Sequence, residues 1–572
     1  MATFQNIFSQ RNAHPEARDT KRAWISDPHL NKGSAFTKAE REYLGIADTM
    51  DTQFETLGEQ VLRTLKDLRA IDNRLEQYRF LRDLQEDNST LFWALAQAHT
   101  AEVLPLIYTP TVGHAIEAQC EIGIPAQGLI IRRSDLSNLD ALFGRYREHG
   151  IALGVVTDGS AVLGLGDQGV GGLAISVGKL NLYSTAAGIP PRRTLPIVLD
   201  FGTDNLKLRR SPTYAGARHP RQHPARARAQ VRAVVEAFKR TFPTALLQFE
   251  DFGKEAAFHV LKDHQTNLPC FNDDIQGTGA MALAGFLRAL DVKKSSLSRE
   301  RVLVVGAGAG GIGVASLLRQ VLATSNHHTT SHPNLVVVDS QGIITKSRPL
   351  PSYKEPFALC DNLLRDHQLN PSAALSEIIK VFGITAVVGL SGQPGIFDEA
   401  VVDALLDNTE RPVVFALSNP SELCEADPSV VLHRSKGKAL IATGSPFSAV
   451  EVEGALHEVP QGNNAFIFPG LGLGALAAGV ETIPESLVLR AAQALATYTS
   501  HVGEGEALFP PTSELMAVAE VVALEVMTAA WEQQLTTRNL ESAEDRERAL
   551  NAISKRPHYT QIFQHSAERP FA

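Results

Sequence analysis

Four carboxylates stand in two adjacent pairs, Glu250–Asp251 in QFEDFG and Asp273–Asp274 in CFNDDIQGT. Phe249, Phe252 and Phe271 flank them, where a solvated acidic pair would have Lys or Ser for neighbours. Carboxylates at the edge of a core are costly unless their charge is neutralised. A divalent cation neutralises three or four of them at once, and all-oxygen ligation points to Mg²⁺ or Mn²⁺ over zinc. The competing reading is two helix N-caps, a routine use of Asp before an apolar run.

Three further residue types could take part in chemistry. Lys179 sits in GGLAISVGKLNLYSTAAGI, a lysine within an otherwise apolar, glycine-rich run. Partly desolvated, such an amine can serve as a general base; an ordinary surface lysine is the alternative. Tyr108 in YTP stands at a proline turn, as a core tyrosine or as a proton donor. RVLVVGAGAGGIGVASLL runs from a buried strand through Gly306, Gly308, Gly311 and Gly313 into a helix. That pattern permits a tight turn and seats a pyrophosphate on the helix N-terminus. VVVDS supplies Asp339 at the end of the next strand, where a ribose-binding acid belongs, at a spacing lengthened by HHTTSHP. Asp339 favours NAD by repelling a 2′-phosphate, while Ser340 and Lys354 leave NADP open.

The elements that must position these groups follow from periodicity. Residues 1–127 read as a helical N-terminal region: apolar residues recur at three and four over 54–84 and again over 79–103, and Thr37 with Glu40 forms a capping box. From Gly128 the runs LIIRRS, IALGVVTDGS, AVLGLGDQGVGG and TLPIVLDFGT read as strands alternating with helices, an α/β substrate and metal domain over 128–272. NLVVVDS, TAVVGLS, RPVVFALSNP and KALIATGSP continue the strand begun at Val302. They describe a doubly wound parallel sheet of Rossmann type, a dinucleotide domain over 273–461. Residues 462–572 return to the substrate domain and end in a helical tail.

The totals exclude several classes. A chain of 572 residues exceeds one core, and its net charge of −9 argues against a nucleic-acid or membrane-surface binder. The basic stretch 207–232 reads as a solvated loop or a small-anion site. Four scattered cysteines without a C-x-x-C pair fit reduced cytosolic thiols. The first residues lack an apolar core for a secretory signal, although a mitochondrial presequence stays open. FIFPGLGLGALAAGV is too short and too rich in Gly and Pro to span a bilayer.

Taken together, the motifs resemble those of the malic enzymes, most closely bacterial and fungal members: NKGSAFT, YTPTVG, SVGKLNLY, QFEDFG, CFNDDIQGTG, VVGLSGQPGIF, FALSNP, ATGSPF and QGNNAFIFPG, in order along nearly the whole chain. The resemblance implies oxidative decarboxylation of L-malate to pyruvate and CO₂ with reduction of NAD or NADP. It implies Glu250, Asp251 and Asp274 as ligands of Mn²⁺ or Mg²⁺. Lys179 would take the hydroxyl proton, directly or with Asp273, and Tyr108 would protonate the enol carbon. Asn419 would contact nicotinamide and substrate, and Asn464 the substrate. It also implies a cytoplasmic homodimer or homotetramer, or a mitochondrial one in a eukaryote.

One position departs from the pattern. VVTDGSAVLGLGD carries Ala161 where malic enzymes carry an arginine that grips a malate carboxylate. Malolactic enzymes, which convert malate to lactate and CO₂, also lack that arginine. A different arginine, from 209–228, could take its place; otherwise the resemblance leaves open a malolactic type, a relative acting on another 2-hydroxy acid because Ala161 reshapes the pocket, and a non-catalytic NAD-binding paralogue.

Overall fold

The structure is a computed structural model that describes residues 22–50, 53–108, 111–122, 128–162, 164–323, 333–502 and 505–563. The candidate targeting segment within 1–21, residues 109–110 of the YTP turn and most of HHTTSHP lie outside the described residues. The chain divides into two compact units. One holds the residues up to Thr111 with those from Arg556 onward; the other is Val112–Lys555.

The first unit is helical, as its periodicity predicts. Thr37 and Glu40 exchange side-chain and backbone hydrogen bonds at the start of helix Lys38–Leu44, which is the expected capping box. The run 54–84 is helical and forms two helices, Leu57–Arg69 and Arg74–Asp87. The break has a local cause: the Asn73 side chain accepts the N–H groups of Leu75 and Glu76 at 2.8 and 3.2 Å and opens a new helix there. Ser89–Ala98 and Thr100–Ile107 complete the bundle, with Leu68, Leu81, Leu95 and Val103 fully buried. Tyr108 is buried at the C-terminal end of Thr100–Ile107.

In the second unit, five parallel strands form one sheet: β1 (Leu129–Arg132), β2 (Leu153–Thr157), β3 (Thr194–Asp200), β4 (Leu246–Glu250) and β5 (Cys270–Asn272), in the order β1-β3-β2-β4-β5. A six-stranded sheet holds β6 (Val302–Val305), β7 (Leu335–Asp339), β8 (Gly342–Ile343), β9 (Ala386–Gly389), β10 (Val413–Ala416) and β11 (Leu440–Thr443). Its order is β11-β10-β9-β6-β7-β8, with only β8 antiparallel. The strand order reverses between β6 and β9, so a crevice opens at their C-terminal ends.

AVLGLGDQGVGG departs from the strand expected of it. It is a loop with one bridge, Val162 to Gly166, followed by the turn Gly169–Gly172. Gly164, Gly166 and Gly169 all take positive φ, which an extended strand cannot accommodate. Helix Leu173–Ala187 packs on β2 and β3 and is covered by helices Phe468–Ala478 and Leu515–Glu532. Enclosed on every side, it buries its polar residues Ser176, Asn181, Ser184 and Thr185 along with the apolar ones, and Lys179 lies at its centre.

Candidate active site

β2, β4 and β5 end side by side, with Thr157 level with Glu250 and Phe249 level with Asn272. The chain leaving each strand therefore delivers polar residues to one place. β4 ends in Glu250, and Asp251 turns through a left-handed φ of 54°, rare for a residue with a Cβ. That turn points the Asp251 N–H at the Asp274 carboxylate, 2.8 Å away. β5 is followed by a single π-helical turn, Asp273–Gly277, before helix Thr278–Val292. Neither acidic pair caps a helix: Gly253 precedes helix Lys254–His264, and Asn272 accepts the Ile275 N–H at 3.1 Å.

Glu250, Asp251 and Asp274 offer three oxygens within 4.8 Å of one another. Burial, together with the charges of Asp274 and Asp273, pushes Glu250 up to about 8 despite the nearby Lys179 ammonium. Burial and Asp251 hold Asp274 well above the usual carboxylate range. Asp273 Oδ1 is buried with no hydrogen-bond partner. Concentrated, desolvated oxygen donors of this kind fit a hard divalent cation, whose charge removes the mutual repulsion.

Lys179 is 3% exposed and joins the two carboxylate pairs. Its Nζ lies 3.0 Å from Glu250 Oε1, donates a short hydrogen bond to Asp273 Oδ2, and sits 4.6 Å from the centre of the Phe468 ring. It is no surface lysine. Asn464 Nδ2 donates to the same Asp273 oxygen at 3.0 Å and to Thr278 Oγ1 at 3.0 Å. A further chain runs behind Glu250: Tyr183 OH donates to Gln248 Oε1 at 2.5 Å, and Gln248 Nε2 donates to Glu250 Oε2 at 2.9 Å. Sequence reasoning passed over both supporting residues, although spacing marks them. Gln248 is two residues from Glu250 on a strand and Tyr183 four from Lys179 on a helix, so each shares its partner's face.

Ala161 lies beside this cluster, its N–H donating to the Asp251 carbonyl at 3.1 Å. An arginine from 209–228 does reach its loop. Arg221 binds both Asp167 oxygens at 2.8 and 2.7 Å and the Asp158 carbonyl at 2.9 Å. Its guanidinium is thus engaged in holding the loop. Two more arginines of the basic stretch are engaged by an acid outside it: Arg228 and Arg232 both bind Asp263 and hold its carboxyl down at about 2, against the effect of burial. Parts of the basic stretch are helical, Leu206–Arg210 and Pro224–Thr241, and Lys207, Arg210 and Arg226 are exposed.

In the second sheet a cavity of about 580 Å³ is lined by Gly306, Gly308, Asp339, Lys354, Leu390 and Ser391. The four glycines divide the work. Gly306 takes a φ of 108°, and a Cβ on Gly308 would meet nothing within 4 Å, leaving room for a ligand. Gly311 instead packs on the Gly306 carbonyl, and Gly313 on that of Ile275. Asp339 is bound by Arg348 at 2.9 Å and by Lys354 at 2.8 Å. Burial raises its pKa, but Lys354, the Gln341 N–H and Arg348 outweigh that and hold it below the usual range. Among the described residues the Asn419 side chain donates to the Gly444 carbonyl, at 3.5 Å. Tyr108 belongs to the other unit.

Comparison with known proteins gives a consistent result. Residues 85–265 match the family model "Malic enzyme, N-terminal domain" and residues 275–531 the model "Malic enzyme, NAD binding domain". The chain is 38% identical over 515 residues to the NAD-dependent malic enzyme of Shewanella sediminis, covering 89% of this chain and 92% of that one. It is 38% identical over 540 residues to that of Psychrobacter cryohalolentis, covering 94% and 96%. The crystal structure of a malic enzyme from Pyrococcus horikoshii Ot3 shares the fold at a TM-score of 0.54 and 23% identity, over 79% of this chain and 89% of that one.

Proposed function

The chain belongs to the malic enzyme family, and we propose that it oxidatively decarboxylates L-malate to pyruvate and CO₂ with reduction of NAD through the cluster around Lys179. The observation that carries the reading is the position of Lys179, buried between Glu250 and Asp273 beside two further carboxylates.

Glu250, Asp251 and Asp274 would hold Mn²⁺ or Mg²⁺. When bound, the cation supplies Lewis-acid polarisation of the malate hydroxyl and of the keto oxygen that replaces it, and NAD supplies a hydride acceptor. The chain's own residues manage the protons. Lys179 gives up its extra proton to the Asp273 carboxylate hydrogen-bonded to it and, as the free amine, takes the hydroxyl proton as C2 is oxidised. Asn464 fixes the Asp273 oxygen that Lys179 uses, and a substrate carboxylate would take the N–H that it now gives to Thr278. The enclosing helices keep water from that exchange, so the lysine proton is not lost to solvent. Tyr108 would protonate C3 of the enol left after loss of CO₂. Gly306 and Gly308 would admit the pyrophosphate, and Asp339, already paired with two cations, would face the ribose.

A second reading is favoured by Ala161. Its methyl group cannot pair a carboxylate, and Arg221 is committed elsewhere. That combination suits a malolactic outcome, with lactate and CO₂ as products, or another 2-hydroxy acid. One assay separates the readings. L-malate and Mn²⁺ are supplied with NAD⁺ or NADP⁺ in parallel, and reduced cofactor, pyruvate and lactate are all measured. Reduced cofactor in step with pyruvate supports the malic reading, lactate without reduced cofactor the malolactic one, and NAD binding without either product a non-catalytic paralogue.

Among the described residues no helix is long and apolar enough to cross a membrane. A cytoplasmic homo-oligomer, dimer or tetramer, drawing on the NAD pool there completes the proposal. Sedimentation of the full chain tests the association.

A further inference from the structure

Glu425 is completely buried, yet no basic side chain is among its hydrogen-bonding partners. A buried carboxylate survives there only because donors surround it. Its Oε1 accepts from the Ser391 N–H at 2.7 Å, the Ser391 hydroxyl at 3.0 Å, the Gly392 N–H at 3.1 Å and the Ser418 hydroxyl at 2.6 Å. Its Oε2 accepts from the Ser418 N–H at 3.2 Å. Its own carbonyl accepts the Phe397 N–H at 2.8 Å. One side chain therefore ties together the loops that leave β9 and β10. Gly389, the last residue of β9, makes the room: a Cβ there would stand 2.6 Å from Glu425 Cγ.

The two loops lead to different parts of the crevice. The first abuts the phosphate turn, where a Cβ on Gly306 would come within 2.4 Å of the Leu390 carbonyl oxygen and 2.8 Å of Ser391 N. Leu390 and Ser391 line the dinucleotide cavity. The second carries Asn419 and meets the loop that bears Ala161. A Cβ on Gly164 would come within 2.5 Å of Pro420 Cδ and 2.9 Å of the Asn419 carbonyl oxygen.

We propose that Glu425 is a positioning residue that fixes the spacing between the Gly306 phosphate turn and the Asn419 segment, and so sets where a bound dinucleotide lies relative to the substrate cluster. It touches neither ligand. The carboxylate acts by holding five donors on one anion, an arrangement that an amide, with one acceptor and one donor face, cannot reproduce.

The proposal rests on the malate–NAD reading for its turnover readout and is independent of it for its binding readout. Glu425→Gln in the full chain is compared with the parent by NADH fluorescence titration, by steady-state kinetics with malate, Mn²⁺ and NAD⁺, and by the Mn²⁺-induced rise in melting temperature. The expected result is NADH binding weakened about tenfold, a KM for NAD⁺ raised about as much, a smaller change in the KM for malate, and an unchanged response to Mn²⁺. Unchanged or tighter NADH binding overturns the proposal, as does a Mn²⁺ response that falls in parallel with NADH binding, which would make Glu425 a general structural residue. If Glu425→Gln does not fold, Ser418→Ala removes one of the five donors to Glu425, a hydroxyl that also accepts from the Gly392 N–H. A loss of about threefold in NADH binding is then expected, and no loss overturns the proposal. Weakened NADH binding in a protein whose parent form does not turn over malate would sink the malate reading while leaving this one standing.

Discussion

Gly313 lies against Ile275 so closely that a Cβ on the glycine would stand 1.9 Å from the Ile275 carbonyl oxygen. Gly313 belongs to the helix that follows the dinucleotide turn, and Ile275 to the π-helical turn that carries Asp273 and Asp274. The contact joins the two halves of the proposed chemistry backbone to backbone. Gly313→Ala is expected to push them apart, destabilising the protein by about 1–3 kcal/mol as overpacking does. Both NADH affinity and the Mn²⁺-induced melting shift should fall. A variant with both unchanged would show that the contact positions neither.

Lys179→Ala should lower kcat with malate by about 10²–10⁴-fold, the usual worth of a placed general base. NADH binding should persist, since Lys179 is absent from the lining of the dinucleotide cavity. Turnover at the parent rate would remove the lysine from the reaction.

Metal affinity should depend on pH in a direction fixed by the raised carboxylates. Glu250, raised from 4.5 to about 8, and Asp274, raised well above 3.8, hold protons more tightly in the folded metal-free protein than in the unfolded chain. Their neutral forms therefore favour folding at low pH, and this contribution is lost as pH rises through the folded values. The metal-free melting temperature should drop between about pH 5 and 8 on this account. The rise produced by Mn²⁺ should grow over the same interval, with protons released on binding. Asp251→Ala should abolish the rise and the activity together; a full Mn²⁺ response in that variant would dismiss the ligand set.

At Ala161, an arginine would have its backbone already fixed by the bond to the Asp251 carbonyl. A charge-assisted pair with a malate carboxylate is worth about 1.5–3 kcal/mol. Ala161→Arg should accordingly lower the KM for malate by about tenfold or more if the pocket is otherwise of malic type. No gain in affinity would mean that the pocket has been rebuilt around the alanine.

Asp263 should matter for acid stability. Arg228 and Arg232 hold its carboxyl at about 2, so its contribution is present above the unfolded value of 3.8 and is lost as pH falls towards 2. Asp263→Asn should lower the melting temperature at pH 7, with the difference narrowing as pH falls below 4; a difference constant with pH would exclude the ion pairs as its cause.

Much of the fold was legible in the sequence because its signals are local. The β-branched runs at Val302, Val336, Val387 and Val413 ended where glycine or a polar turn follows, and the parallel sheet formed from them. One local signal misled, and another gave the element type without its boundaries. The apolar residues of AVLGLGDQGVGG were outweighed by glycines at positive φ, and the helical periodicity over 54–84 did not by itself place the new start that Asn73 imposes. Glu425 gave no signal in the sequence, because a carboxylate solvated by N–H groups of distant loops looks like any other acid until those loops are folded around it.

By itself, the sequence determined the identity of the chemistry: acidic pairs beside aromatics, a lysine in an apolar helix, a glycine-rich turn after a strand, and the ordered motifs of a family. Those depend on residue types and short spacings. Tertiary structure alone decided how they combine. Lys179 meets Glu250 and Asp273 across 71 and 94 residues of chain because β4 and β5 end beside the buried helix that carries it. Arg221, which reaches the loop that bears Ala161, is bound there by Asp158 and Asp167. Such pairings depend on which strand ends lie side by side, and strand order is set by long-range packing that no local spacing encodes.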